Sequence, residues 1–249
     1  PGSGIISAGR LPMHGLRREP DLLLDGEWEF QLVPRAEDPP GADWTRVSVP
    51  ELWTMRVQDD RPHYLNVPMP FTEVPPRVPA ANPTGIYRRE FNLVDPSGKR
   101  VILHVGAAEG FLTASVNGAV VGVSTDSHLA AEFDITEAAV VGRNEVELRI
   151  AKWSTQTYVE DQDQWWQSGI TRSVSVSILP TVRLADIRAV ADFDPEASTG
   201  SLRLNVTTVG LESVLEHGYS VRLIAFGQES VLELSKYSPP QGLPPAEPD

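Results

Sequence analysis

Apolar residues in this chain recur at every second position. In 27–33, Trp28, Phe30 and Leu32 alternate with polar neighbours, and Val146, Leu148 and Ile150 do the same in 145–150. The run Ser173-Val174-Ser175-Val176-Ser177-Ile178 repeats the pattern, and Leu202, Leu204 and Val206 carry it into 201–206. A period of two turns one set of side chains to a core and the other to water, as a half-buried antiparallel strand requires. No apolar stripe at helical spacing is sustained over a helical length; the nearest candidate, 137–141, suits only a short turn. The spacing predicts an all-β chain.

Turn chemistry sharpens this. Asn117-Gly118 separates two strand-like runs, 111–116 and 119–123, and both residues tolerate the positive φ that a type I′ hairpin turn demands. Asp25-Gly26, Pro96-Ser97-Gly98 and Gly142-Arg143-Asn144 mark further turns. Many short strands so punctuated predict a sandwich or jelly roll rather than alternating βα units. The stretch 37–81 departs from the pattern, with many prolines and with Trp44, Trp53, Tyr64 and Phe71. Proline is excluded from the centre of a sheet and the aromatics call for burial, so a long loop laid over the sandwich is predicted. Loops of that length in compact domains are often functional.

A break at Leu179-Pro180 divides the chain into 1–180 and 181–249. The second part offers four strand-like runs, 183–190, 201–206, 219–226 and 230–234, against the roughly seven strands of an immunoglobulin sandwich. An incomplete immunoglobulin-like β-sandwich is therefore expected there. The chain starts at Pro1 rather than Met and runs into a Pro-rich stretch at 239–245, expected to be extended and solvated. Both features fit a piece of a longer polypeptide.

Charge narrows the partners. Lys and Arg number 21 against 34 Asp and Glu, a formal net charge of −13. Such a body repels phosphate backbones and anionic lipid, so neither nucleic acid nor a membrane is an expected partner. The absence of Cys excludes disulfides, thiolate catalysis and Cys-ligated zinc, and leaves the compartment open. The five histidines are scattered, and no nucleophile elbow, P-loop or dinucleotide fingerprint is present.

Two segments could carry chemistry. In Tyr158-Val159-Glu160-Asp161-Gln162-Asp163-Gln164-Trp165-Trp166, three carboxylates in four residues repel one another and gain from a cation or from hydroxyl donors. Carboxylates accept from sugar hydroxyls, and Trp165 and Trp166 offer flat faces for stacking on a pyranose ring. The alternative is an acidic surface loop whose tryptophans plug the core. The second segment is Asn82-Pro83-Thr84-Gly85, an ordinary turn or a turn that aims the Asn82 amide, donor and acceptor at once, into a site.

These segments belong to a longer series: Leu24-Asp25-Gly26-Glu27-Trp28-Glu29-Phe30, Tyr64-x-Asn66-Val67, Val78-Pro79-x-x-Asn82-Pro83-Thr84-Gly85-x-Tyr87, Val116-Asn117-Gly118, Asp126-Ser127, Glu132-Phe133-Asp134-Ile135, and Trp153-Ser154 followed by Glu160-Asp161-Gln162-Asp163-x-Trp165 and Ser168-Gly169-Ile170-x-Arg172. From about Leu22 to Leu179 the chain thereby resembles the large β-galactosidases of glycoside hydrolase family 2. The resemblance implies a jelly-roll sugar-binding domain, then an immunoglobulin-like domain, then a TIM barrel that holds the catalytic glutamates and lies outside this chain. It implies a retaining enzyme acting on terminal β-D-galactosides, with no catalytic residue in these 249 residues, which alone are expected to be inactive.

By the same resemblance Asn82 contacts the sugar. Asp163 meets galactosyl hydroxyls and a sodium ion whose remaining ligands come from the barrel, which also carries magnesium. A jelly-roll magnesium site of the family draws on the positions of Thr125 and Thr155, usually Gln and Asp. Hydroxyls are poor ligands for a hard dication, so that site is expected to be missing. The implied partners are a β-galactoside, the barrel of the same polypeptide and further copies in a homo-oligomer, in the cytoplasm. A self-sufficient carbohydrate-binding module and a ligand-free structural sandwich are the competing readings, since one fold hosts many functions.

Overall fold

The structure, a computed structural model, describes residues 8–16, 18–56, 60–65, 68–210, 220–225 and 228–233. The landmark Asn66-Val67, the first residues, the ends of the expected strands 219–226 and 230–234, and the Pro-rich stretch 239–245 lie outside the described residues. The chain divides into two units, 1–180 and 181–249.

The first unit is a β-sandwich. Its strands are β1 (Leu22–Leu23), β2 (Gly26–Val33), β3 (Thr45–Val49), β4 (Glu51–Leu52), β5 (Thr84–Leu93), β6 (Lys99–Val105) and β7 (Ala108–Glu109). They continue with β8 (Phe111–Val116), β9 (Ala119–Ser124), β10 (Ala131–Asp134), β11 (Gly142–Ala151), β12 (Gly169–Ile170) and β13 (Val174–Pro180). One sheet has the order β3-β2-β5-β11-β8-β9, the second β1-β13-β6-β10, and a small third sheet β4-β12-β7. All pairings are antiparallel, and no α-helix occurs among the described residues.

Alternation decides what β11 buries. On β11, Asn144, Val146, Leu148 and Ile150 are buried while Glu145, Glu147 and Arg149 turn outward. Trp28 and Phe30 of β2, Leu103 and Val105 of β6, Phe133 of β10 and Val174 and Val176 of β13 share one core between the large sheets. Burying apolar surface at roughly 25 cal/mol per Å² makes this layer the main source of stability. Outside, Arg88 donates to Glu147 at 2.7 Å, and its guanidinium lies 4.5 Å from the Trp44 ring. The β8–β9 hairpin turns at Asn117 (φ 51°) and Gly118 (φ 80°), the positive-φ pair expected of a type I′ turn.

The stretch 37–81 holds more structure than a loop: it contains β3, β4 and a 3₁₀ turn at Trp53–Met55. Proline was the reason to expect otherwise, yet Pro50 only separates the two strands, and β3 lies at a sheet edge, where a neighbouring proline removes no interior ladder bond. Of its aromatics only Trp53 is fully buried; Tyr64 is exposed, while Trp44 and Phe71 are half-buried. Gly85 on β5 is required by this packing, since a Cβ there would stand 2.6 Å from the Trp53 ring.

The second unit contains two antiparallel ribbons among the described residues. β14 (Arg183–Asp194) pairs with β15 (Thr199–Val209), and β16 (Ser220–Ala225) with β17 (Gln228–Glu233). The four runs read from alternation correspond to these four strands, with β14 and β15 extending further than the pattern indicated.

Candidate functional site

The 152–167 segment, which follows β11, is the meeting point of several loops. Its first contact is Asn82. The Asn82 side-chain carbonyl accepts the Trp153 backbone N–H at 2.9 Å, and its NH2 donates to the Trp153 backbone carbonyl at 2.8 Å. Asn82 is only 6% exposed. The amide ties the 82–85 turn to the end of β11. An amide has two N–H groups and two lone pairs, so one of each remains.

Lys152 is buried under this turn. Its ammonium donates to Asp60 at 2.6 Å, and the other Asp60 oxygen accepts from the Trp53 indole at 2.8 Å. Ser154 then caps a 3₁₀ turn at Thr155–Tyr158 by accepting the Gln156 N–H while giving its own N–H to Thr157 Oγ1. The Tyr158 hydroxyl donates to the Arg77 carbonyl at 2.6 Å, and Phe71 sets its edge against both Trp153 and Tyr158. These contacts fasten the Pro-rich segment around 71–77 to the 153–158 turn.

The acidic run resolves its own repulsion by sending its carboxylates to different partners. Glu160 accepts from both the backbone N–H (2.9 Å) and the hydroxyl (2.6 Å) of Ser127, and Ser127 Oγ accepts the Gly110 N–H at 3.1 Å. Asp163 is exposed and accepts from the Tyr64 hydroxyl at 2.6 Å, an interaction that raises the Tyr64 phenol above its ordinary pKa. Glu160 is thus a brace, while Asp161 and Asp163 are both presented to solvent, Asp163 with the Tyr64 hydroxyl as its donor.

The two tryptophans also part company. Trp165 is 55% exposed, with its ring 5.7 Å from that of Tyr64. Trp166 is 8% exposed, its ring edge-on to Trp153 at 5.7 Å, and its backbone exchanges hydrogen bonds with His63 at 3.1 and 2.7 Å. Stacking on a sugar needs an open ring face, so the assignment of Trp166 as a platform is corrected; Trp165 retains that face. Asn82 bonds to Trp153, which packs on Trp166; Trp166 pairs with His63, and the next residue, Tyr64, bonds to Asp163. Gly169 then seats β12 against β4 at a φ of +138°, where a Cβ would lie 2.7 Å from Leu52 Cα.

Among the described residues, no three His, Asp or Glu side chains converge as a metal shell. Around the positions implied for a jelly-roll magnesium, Thr125 is buried and Thr155 exposed, and the neighbouring Asp126 lies 3.7 Å from the Arg10 guanidinium. Two hydroxyls and a carboxylate already beside a cation do not fit a hard dication, which favours several oxygen ligands with charged carboxylates among them.

With this geometry in view, comparison with known proteins decides the family. The model for the sugar-binding domain of glycosyl hydrolases family 2 matches residues 22–180. The chain belongs to glycosyl hydrolases family 2. Its family 2 relatives include the β-galactosidase of Arthrobacter sp. (strain B7), 34% identical over 253 residues, covering 86% of this chain and 24% of the relative. The β-galactosidase of Aeromonas hydrophila is 40% identical over 201 residues, covering 73% and 19%. The chain thus spans about a fifth to a quarter of these relatives' length. Among solved structures, a β-glucuronidase of an uncultured Clostridium sp. superposes with a TM-score of 0.61 at 17% identity, over 91% of this chain and 42% of that one. A Ruminococcus gnavus β-glucuronidase gives 0.60 at 20% identity, over 87% and 38%. At such identities the structural likeness concerns the fold alone.

Sequence reasoning missed the Lys152–Asp60 pair, the Ser127–Glu160 brace and the Tyr64–Asp163 bond. Each joins residues separated by 33 or more positions, and none leaves a spacing pattern.

Proposed function

We propose that this chain is the N-terminal sugar-binding part of a retaining β-galactosidase, and that it completes the galactose pocket of a catalytic barrel carried elsewhere in the polypeptide. The observation that carries the reading is the 160–166 loop, braced at Glu160 and Trp166 and presenting Asp163 and the Trp165 ring outward. A carboxylate beside an aromatic face suits a sugar: the first accepts from hydroxyls and the second covers the C–H face. The names of the curated relatives and the fraction of their length that this chain covers support the same assignment.

Asp163 supplies one anionic oxygen donor to galactosyl hydroxyls and to a sodium ion, with the rest of the shell contributed by the barrel; magnesium is assigned to the barrel. Asn82 holds Trp153 in place, and its remaining N–H is the group it has to offer a sugar. Retaining hydrolysis needs two carboxyl groups about 5–5.5 Å apart across the scissile bond. We assign both to the barrel, and this chain alone is inactive. In the jelly roll, Arg10 beside Asp126 takes the place of a dication.

The test is steady-state kinetics of the full-length polypeptide on a β-galactoside with varied sodium. Removing one charge-assisted hydrogen bond costs about 1.5–3 kcal/mol, so Asp163→Asn lowers kcat/KM about 10- to 150-fold and blunts the sodium dependence. Thr155→Ala leaves both close to the parent. Equal effects of the two changes would refute the role of Asp163.

A further inference from the structure

A small cavity lies between Glu109 of β7 and the 157–167 segment, with about 20 Å³ open to the centre of a water molecule. Glu109, His128, Glu160, Gln164, Trp166 and Gln167 contribute to its wall. Two of these side chains carry buried polar atoms without a partner: the Trp166 indole Nε1 and the Gln167 Oε1. Buried polar groups in folded proteins nearly always find a partner, either protein or ordered water. One orphan donates and the other accepts, and both belong to residues around one cavity.

We propose that this cavity is a site for a single ordered water molecule, which accepts from Trp166 Nε1 and donates to Gln167 Oε1 and to the Glu109 carboxylate. The volume fits, because a water needs at least about 10–15 Å³ measured this way and typically makes about three hydrogen bonds. A metal cation is the competing occupant for a pocket containing Glu109 and Glu160. The unpaired indole N–H argues against it, since a donor directed at a cation is repelled, and Lys152 also lines the pocket. Glu160 has both oxygens engaged by Ser127. The Glu109 carboxylate accepts the Gln167 backbone N–H, and burial holds its pKa above the ordinary range.

The water therefore links β7 to the segment that presents Asp163, and makes Trp166 and Gln167 positioning residues for it. That last consequence rests on the proposed function; the hydration of the cavity does not.

The experiment uses the whole 249-residue chain, isotopically labelled, with the Trp166 indole N–H resonance assigned through Trp166→Phe. A cross-peak between that proton and water, of opposite sign in the laboratory and rotating frames, is expected from a water that outlasts surface hydration. Gln167→Leu removes an acceptor from the water, so the cross-peak is lost and Tm falls by about 2–4 °C, the equivalent of about 1 kcal/mol in a domain this size. Glu109→Gln keeps an acceptor oxygen and keeps the cross-peak. Absence of the cross-peak in the parent chain overturns the proposal. So does a rise in Tm for Gln167→Leu, the outcome when an orphaned buried acceptor is merely deleted. A cross-peak that survives Gln167→Leu overturns the assigned partner set. None of these outcomes depends on whether Asp163 meets a sugar.

Discussion

Replacing Lys152 by Met tests what holds the candidate site together. Lys152 and Asp60 are 1% and 6% exposed at their side chains and lie 2.6 Å apart. Methionine has nearly the same length, so the change removes the charge while filling most of the space. Asp60 is then left buried with the Trp53 indole as its donor. Removing one member of a buried ion pair costs about 3–5 kcal/mol, because the remaining charge has lost its compensation. At about 2–4 °C per kcal/mol for a domain of this size, Tm falls by about 6–20 °C. Asp60 also leads the segment that carries His63 and Tyr64, so the same change loosens the contact between Tyr64 and Asp163. The assay is thermal melting followed by circular dichroism, with Lys152→Met, Asp60→Asn and the double variant compared in a cycle. In the double variant no charge is stranded, and the amide oxygen that Asp60→Asn introduces still accepts from Trp53, so much of the lost stability returns. A single-variant loss below about 1 kcal/mol, or a double variant no better than Lys152→Met alone, would refute the reasoning.

Further outcomes follow from the same geometry. Asn82→Ala orphans the backbone N–H and carbonyl of Trp153, and at about 1–3 kcal/mol per unsatisfied buried group it lowers Tm by several degrees in melting experiments; an unchanged Tm would contradict the tie. Glu109 has its folded-state pKa raised above 4.5, chiefly by burial, so the stability it contributes is fully present below the unfolded pKa and is lost as pH rises through the folded value. Glu109→Gln is accordingly neutral at acidic pH and raises Tm at pH near 7, and the pH series would contradict this by showing no widening gap. Magnesium or EDTA leaves the Tm of the chain unchanged, since Arg10 already supplies a cation beside Asp126; a saturable rise with magnesium would show a dication site.

Strand identity was legible because period-two burial is a local property. The alternation on β2 and β11 reads directly off neighbouring residues, whereas β13 buries Ser175 along with Val174 and Val176; Asn117-Gly118 states its own turn type. The Pro-rich stretch misled in one respect: edge strands such as β3 tolerate flanking proline, and sheet position is not written in local sequence. At the site, Asp163 could be singled out by type and neighbourhood, but its exposure and its bond to Tyr64 depend on a residue 99 positions away. Trp165 and Trp166 are the same residue type in adjacent places. One faces solvent and the other packs on Trp153, because successive residues of an extended segment point to opposite sides. Asn82 shows the converse case, in which a polar residue in a turn serves the backbone of a distant strand end.

The most direct test of the central claim is a crystal structure of the full-length polypeptide with galactose bound. The account predicts an Asp163 carboxylate oxygen within hydrogen-bonding distance, about 3 Å, of a galactosyl hydroxyl or coordinated to a sodium ion that touches the sugar. A galactose seated in the barrel with the 160–166 loop remote from it, and Asp163 still bonded only to Tyr64, would contradict the claim.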